Sequence, residues 1–462
     1  LKKHFLLTAC LTISGWGLVC AQQNNTTLIK GIVNKEKKRP VTLMYVQEGE
    51  KFHYATTNLD STGGFGFVVT NCKEGFYYLG DTLKRNYTRL YLKANDQLSV
   101  ILEEDGSYKV VNGSAENKLI QQWAAMSNTV ERAARLGDST TYYSFFPALT
   151  TLAGQSDAFA KKLITPNSKF NQLMKQTIAM DMQRWAAIFV SLPHSVHPTR
   201  AQWPSFYNTI AAPNKFNSSS ILQIGEAADW LSLYCSFYFI HVLPRDTAAK
   251  RMTPAQIVTR NLREIDNDTL KGVYLANTLK MFKSYEELTE TIHPYQQYLL
   301  TPLANQRYFT AMKSLNTMRK GAEGFNFTYP DITGKQVSFK DLKGKVVVVD
   351  VWATWCGPCK KELPHLQKLE EEYAGNANVV FLGVSVDEEK DFGKWQQFVK
   401  EHALGGVQLF AKGWSDISKF YSINTIPRFM VFDQQGKIVT IDGPRPSEPE
   451  LKKLIEQTLQ GS

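Results

Sequence analysis

The chain has 462 residues, a length that suggests about three domains, each able to bury a core without a disulfide scaffold. Hydrophobic residues make up 43% and charged residues 21%, which excludes a disordered, collagen-like or coiled-coil chain, and six cysteines exclude a small disulfide-rich module. The net charge of +10 comes from scattered basic residues, with 17 basic against 19 acidic in 322–462, so it reads as a mildly basic solvated surface and not a nucleic-acid site.

At the N-terminus Lys2, Lys3 and His4 precede an apolar stretch over 5–19, and Val19-Cys20-Ala21 places small or aliphatic residues before Gln22. This pattern predicts a secretory signal peptide over 1–21, cleaved after Ala21. The stretch is short of the ~20 residues of a transmembrane helix. Leu7-Thr8-Ala9-Cys10 has the residue types of a lipid-attachment box, but too few apolar residues precede Cys10 to form a signal core. Soluble export is therefore preferred over a lipid anchor. The apolar run 230–243 is also too short to span and is expected as a buried helix, so no membrane span is expected after signal removal.

Residues 22–113 are expected to form a β-rich domain. Short β-branched and aromatic runs at 27–33, 41–46, 64–69 and 90–93 alternate with turn signals such as Asp60-Ser-Thr-Gly-Gly and Lys93-Ala-Asn-Asp. Their spacing suits a small antiparallel sandwich or barrel. Residues 114–321 change to a helical period, opening at Ser114 as a capping residue, with long helical stretches at 168–190, 219–243, 253–263 and 269–290. Aromatic residues there, including Trp123, Trp185 and Trp230, are expected in the core. Gly321-Ala-Glu-Gly324 reads as a linker. Residues 322–462 then alternate strands and helices: strand 346–349, helix 357–373, strand 379–386, helix 391–403, strand 407–410, a short helix 416–421, a hairpin across 429–441 and a last helix 448–459. That order implies an α/β layer fold.

Trp355-Cys356-Gly357-Pro358-Cys359 sits where the first of these strands gives way to a helix. A Cys-x-x-Cys at such a junction can cycle between dithiol and disulfide. The unpaired N–H groups and dipole of the helix N-terminus favour a thiolate at Cys356, which makes it the nucleophile. Cys359 is placed to resolve a mixed disulfide. Half of a structural zinc site is the alternative, but it needs two more ligands at motif spacing, and Cys72, Cys235, His365 and His402 supply none. No metal and no cofactor are expected.

Residues 322–462 resemble the thioredoxin superfamily, specifically the exported TlpA/ResA-type thiol-disulfide oxidoreductases. The resemblance is carried by Val349-Asp350-Val-Trp352-Ala-Thr-Trp355-Cys356-Gly-Pro-Cys359, by Lys360-Lys-Glu-Leu-Pro364, by Thr425-Ile426-Pro427 with the strand that follows, by Gly436-Lys437, and by a lead-in hairpin from Tyr329 to Gly344. It implies a thioredoxin fold, a redox disulfide between Cys356 and Cys359, a cis bond before Pro427, and substrate contact through Trp355, Gly357, Pro358 and Ile426. By the same resemblance Asp350 corresponds to a buried acid that accepts the Cys359 proton. A carboxylate inside an apolar strand should also have a raised pKa on physical grounds. A surface-facing Asp350 at the strand end is the alternative. Glu362 recurs in the family, although a solvated helix charge is an equal reading. The preceding two thirds look like the β-rich domain of unknown function and helical region that often precede this domain.

The expected activity is an exported protein disulfide reductase acting on protein thiols and disulfides in the periplasm or cell envelope, supplied with electrons by a membrane thiol donor. Oxidase or isomerase activity on the same fold, or an envelope binding protein with an accessory thioredoxin domain, are the alternatives. A peroxidase of the peroxiredoxin type is disfavoured, because those enzymes rely on a single peroxidatic cysteine in a different loop. Cys72 and Cys235 are expected to be unpaired, with Cys235 buried.

Overall fold

The computed structural model describes residues 26–34, 39–81, 86–103, 106–135, 140–194, 196–212, 215–242 and 252–461. The expected signal peptide, with Cys10 and Cys20, lies outside them. The protein is multidomain: a β-rich region, a helical region and a C-terminal thioredoxin-like domain follow one another along the chain. Close approach of Cα atoms gathers it into two compact units, one of residues 1–207 and 221–227, the other of 208–220 and 228–462.

The first unit opens with eight strands: β1 (Thr27–Asn34), β2 (Val41–Gln47), β3 (Glu50–Thr57), β4 (Gly64–Val69), β5 (Gly75–Asp81), β6 (Asn86–Leu92), β7 (Gln97–Glu103) and β8 (Tyr108–Asn112). They form two four-stranded sheets, ordered β4-β1-β7-β8 and β3-β2-β5-β6; β1 and β7 run parallel, so the first sheet is mixed and not antiparallel throughout as expected. Alternate residues of both sheets, including Ile29, Phe67 and Val100 of one and Leu43, Leu79 and Leu90 of the other, share one apolar core. This is a sandwich, built because a strand's side chains alternate between faces. Helices α1 (Ala115–Arg135), α2 (Tyr142–Lys162) and α3 (Ser168–Ser191) follow. The first turn of α1 covers a sheet edge. Asn117 bonds both the N–H and the C=O of Tyr91 on β6, at 2.9 and 2.7 Å. One turn later Gln121 accepts the Val110 N–H on β8 at 2.7 Å. One helix thus satisfies backbone groups on an edge strand of each sheet.

The second unit contains α4 (Ala227–His241) from residue 228 onward, α5 (Pro254–Leu262), α6 (Asp268–Thr278), α7 (Tyr285–Ile292) and α8 (Pro302–Asn316). Trp230, Leu231, Cys235 and Phe237 of α4 are buried, as expected of that apolar run. No helix among the described residues is long and apolar enough to cross a membrane. The stretch 269–290, read as one helix, is broken: Ser284 accepts the Glu287 N–H and starts α7 afresh, a cap that an apolar period conceals.

Strands β9 (Thr328–Pro330) and β10 (Gln336–Ser338) form the lead-in hairpin. Strands β11 (Val346–Trp352), β12 (Val379–Ser385), β13 (Val407–Phe410), β14 (Arg428–Phe432) and β15 (Ile438–Thr440) make a sheet ordered β13-β12-β11-β14-β15, with β11, β12 and β13 parallel. Helices α9 (Gly357–Glu372), α10 (Phe392–Glu401), α11 (Asp416–Phe420) and α12 (Pro449–Gln460) complete the unit. Leu366 and Leu369 of α9 and Leu451 and Ile455 of α12 pack on Val346, Val348 and Val431 of the sheet. The segment 321–324, expected as a linker, instead extends the sheet. The Gly321 and Gly324 N–H groups donate to the carbonyls of Ile438 and Gly436, and the Ile438 N–H donates to Ala322. Two glycines, an alanine and a glutamate flank an edge strand whose free backbone N–H and C=O groups select this pairing, a preference that composition does not reveal.

Candidate active site

All seven residues of β11 are buried, as a central strand between two neighbours requires. At its end Ala353, Thr354 and Trp355 turn the chain into α9. The turn is pinned by Asp387, fully buried after β12: its carboxylate accepts the Thr354 N–H at 2.9 Å and the Thr354 hydroxyl at 2.6 Å, and the Ser385 hydroxyl at 2.7 Å. The sequence reading missed Asp387, which lies in an acidic run that looks like a solvated surface.

Cys356 is the N-cap of α9, and its Sγ accepts the Cys359 N–H at 3.1 Å. The two sulfurs are joined in a disulfide. Gly357 and Pro358 open the helix, where a missing proline N–H costs nothing. Both face solvent, as does Trp355 at 57% exposure. The sulfurs do not: Cys356 is 4% and Cys359 2% exposed. In the disulfide form the two sulfurs are therefore shielded almost alike. The hydrogen bond to Cys356 is what separates the two sulfurs.

The Ile426–Pro427 peptide is cis. Arg428 pairs with Val351 in the antiparallel β11–β14 ladder, so Pro427 comes abreast of Trp352, beside the strand end from which the cysteine loop emerges. Ile426 and Pro427 are half-buried.

Asp350 is 5% exposed, so the surface-facing alternative is overturned. On a strand that alternates faces it shares the α9 side with Val346 and Val348. It borders a cavity of about 10 Å³ together with Leu363, Leu366, Glu370 and Gln408, space for about one water molecule. One Asp350 carboxyl oxygen and the Gln408 side-chain oxygen have no protein partner. Burial, then the Glu370 and Glu362 carboxylates, push the Asp350 pKa up to about 8. Burial also raises Glu370 to about 7, against the bond from Gly405. Gly383, opposite Asp350 on β12, leaves the space that Gln408 fills: a Cβ there would lie 2.1 Å from the glutamine oxygen. The sequence reading missed Glu370 and Gln408; eleven residues beyond Cys359, Glu370 looks like one of three consecutive surface glutamates.

Glu362 is also buried, at 7%, and its carboxylate accepts the Ser447 N–H and hydroxyl, both at 3.1 Å, with Arg445 at 3.8 Å. It ties α9 to the loop before α12, so the reading of a solvated helix charge is overturned. Cys72 and Cys235 are buried free thiols. Burial pushes Cys235 up to about 12.

A family model described as the AhpC/TSA family matches residues 321–441. The chain is 34% identical over 152 residues to the thiol-disulfide oxidoreductase ResA of Bacillus thuringiensis subsp. konkukian, a match covering 33% of this chain and 84% of the relative. It is 36% identical over 122 residues to the ResA of Bacillus cereus, covering 26% of this chain and 68% of the relative. The solved thioredoxin domain of a thiol-disulfide oxidoreductase from Bacteroides vulgatus is 28% identical, covering 30% of this chain and 96% of that one, with a TM-score of 0.27.

Proposed function

Because the chain belongs, through its C-terminal domain, to the thiol-disulfide oxidoreductases of thioredoxin fold, we propose that it works as an exported protein disulfide reductase through a Cys356/Cys359 dithiol. The observation that carries this is the N-cap position of Cys356, whose sulfur receives the Cys359 N–H beneath the exposed edge of Trp355, Gly357 and Pro358. A donor aimed at sulfur stabilises the thiolate, and the thiolate is the attacking species.

In the reduced enzyme the Cys356 thiolate attacks one sulfur of a substrate disulfide. A mixed disulfide forms and the substrate's other sulfur leaves as thiolate. Cys359 gives its proton to Asp350 in the fraction of molecules where that acid is ionised, and attacks Cys356. The 356–359 disulfide forms, the second substrate sulfur leaves, and two electrons have passed to the substrate. With a pKa near 8, Asp350 is matched to a proton transfer at neutral pH. Glu370 borders the same cavity and is only half-buried, which makes it the route by which that proton reaches solvent. Ile426 and Pro427 present backbone to an extended substrate segment. Re-reduction requires a dithiol donor, at the membrane if the chain is exported as its N-terminus suggests.

The Gly-Pro dipeptide between the cysteines is of the thioredoxin kind, for which the potential is about −270 mV, against about −120 mV for a strong oxidant. A redox titration of the full chain paired with insulin reduction tests the direction. A potential near the thioredoxin value with insulin turnover is expected. A potential above about −150 mV would reverse the reading to an oxidase.

A further inference from the structure

Within the first compact unit, α1, α3 and strands β5, β6 and β8 line a cavity of about 150 Å³. None of its lining residues belongs to the dithiol site. Exposed Gly106, Ser107 and Arg135 mark the end that opens to solvent.

The two buried carboxylates of this cavity, Asp181 and Glu226, are used up. Asp181 takes both terminal nitrogens of Arg89, at 2.9 and 3.1 Å, and the Trp123 indole N–H at 2.9 Å. Glu226 takes Arg89 at 2.9 Å, the Tyr78 hydroxyl at 2.6 Å and Lys51 at 2.7 Å. The donors are not used up. Trp185 is 3% exposed, and its indole N–H has no partner in the protein. Arg184 lines the cavity and acts on Glu226 only through its field. Gln121 lines the cavity and commits its side-chain oxygen to the Val110 N–H, which leaves its amide group only as a donor. Charge points the same way: Arg89 and Lys51, the latter outside the lining, already pair with the two carboxylates Asp181 and Glu226, and Arg184 is a third cation beside them. At the mouth Glu131 and Arg135 pair with each other. A cluster serving only to join sandwich and helices accounts for Arg89, Asp181 and Glu226. It does not account for a buried indole N–H without an acceptor or for the third cation.

We propose that this cavity binds a small organic monoanion, with its carboxylate held by Arg184 and the Trp185 N–H and its body against aromatic walls. Trp123 and Trp185 lie nearly parallel, with ring centres 6.0 Å apart, and Tyr78 and Tyr108 add to the lining. The space is below the about 300 Å³ at which ligand sites for larger molecules begin, so the ligand is about the size of a single ring bearing an acid group.

The test is calorimetric titration of the full chain with phenylacetate, and with phenylacetamide and phenethylamine as neutral and cationic analogues. Phenylacetate is expected to bind, and both analogues at least about tenfold more weakly, the worth of one charge-assisted hydrogen bond. Arg184→Gln and Trp185→Phe should each weaken phenylacetate by a similar factor, and Arg184→Lys should recover part of the loss. Thermal unfolding of each ligand-free variant, unchanged from the parent, shows that a lost affinity is not a lost fold. No heat with phenylacetate, equal binding of the amide, or unchanged affinity in Arg184→Gln would overturn the proposal. The dithiol reading stands or falls separately, since insulin reduction is scored on the same protein without any added acid.

Discussion

Replacing Asp350 by Asn should stabilise the C-terminal sheet, by an amount that grows with pH. In the folded protein burial and the neighbouring carboxylates place the Asp350 pKa at about 8, against 3.8 for the free side chain. Below about pH 4 both folded and unfolded chains hold the proton, and the substitution is close to neutral. Between the two values the unfolded chain has lost a proton that the folded chain keeps. Stability then falls as pH rises, by about 1.4 kcal/mol per unit. Across about four units this amounts to roughly 5 kcal/mol by pH 8, where the folded acid also ionises and the slope ends. Asparagine has the same shape and no charge, so the variant lacks the slope. Hydrogen exchange of the β11 and β14 peptides, read by mass spectrometry at pH 4, 6 and 8, isolates this sheet from the rest of the chain. The variant should open less than the parent, with a gap that is small at pH 4 and reaches up to about four orders of magnitude at pH 8. A gap of equal size at pH 4 and pH 8, or a variant less stable at pH 8, would refute a neutral buried acid. The same variant should resolve mixed disulfides more slowly than it forms them, as the loss of a proton acceptor for Cys359 requires.

Cys359→Ser should accumulate mixed disulfides with its substrates and Cys356→Ser none; trapping followed by non-reducing electrophoresis separates the two roles, and equal trapping would reverse them. Arg89→Met leaves Asp181 and Glu226 buried without their shared partner, and should cost about 3–5 kcal/mol, measured as protection of β6 and α3 peptides from exchange. Cys235, held near pKa 12 by burial, should resist iodoacetamide at pH 8 in the native protein and react once it is denatured; labelling at the rate of a free thiol would contradict its burial.

Local signals in the sequence settled much of this protein. The C-terminal strands and helices were legible because each has its own period and its own turn residues, and the Cys-Gly-Pro-Cys motif fixes the first helical turn by itself: α9 begins at Gly357, with Cys356 as its cap. The sandwich was legible as a class from four short runs, although β3, β5, β7 and β8 were not among them; β3, whose residues are almost all half-buried, carries too weak an alternation to be found. What lay beyond the sequence were pairings between residues far apart in it. Nothing local marks Glu370 as the acid that shares a cavity with Asp350, because only the packing of α9 on β11 brings them to one space. Glu362 looked like a helix-surface charge until its partners at Ser447 and Arg445 were placed. Gly321–Gly324 looked like a linker until β15 offered it an open edge. In each case a polar group's meaning is set by who satisfies it, and in a folded chain that partner is chosen by tertiary packing, not by sequence neighbours.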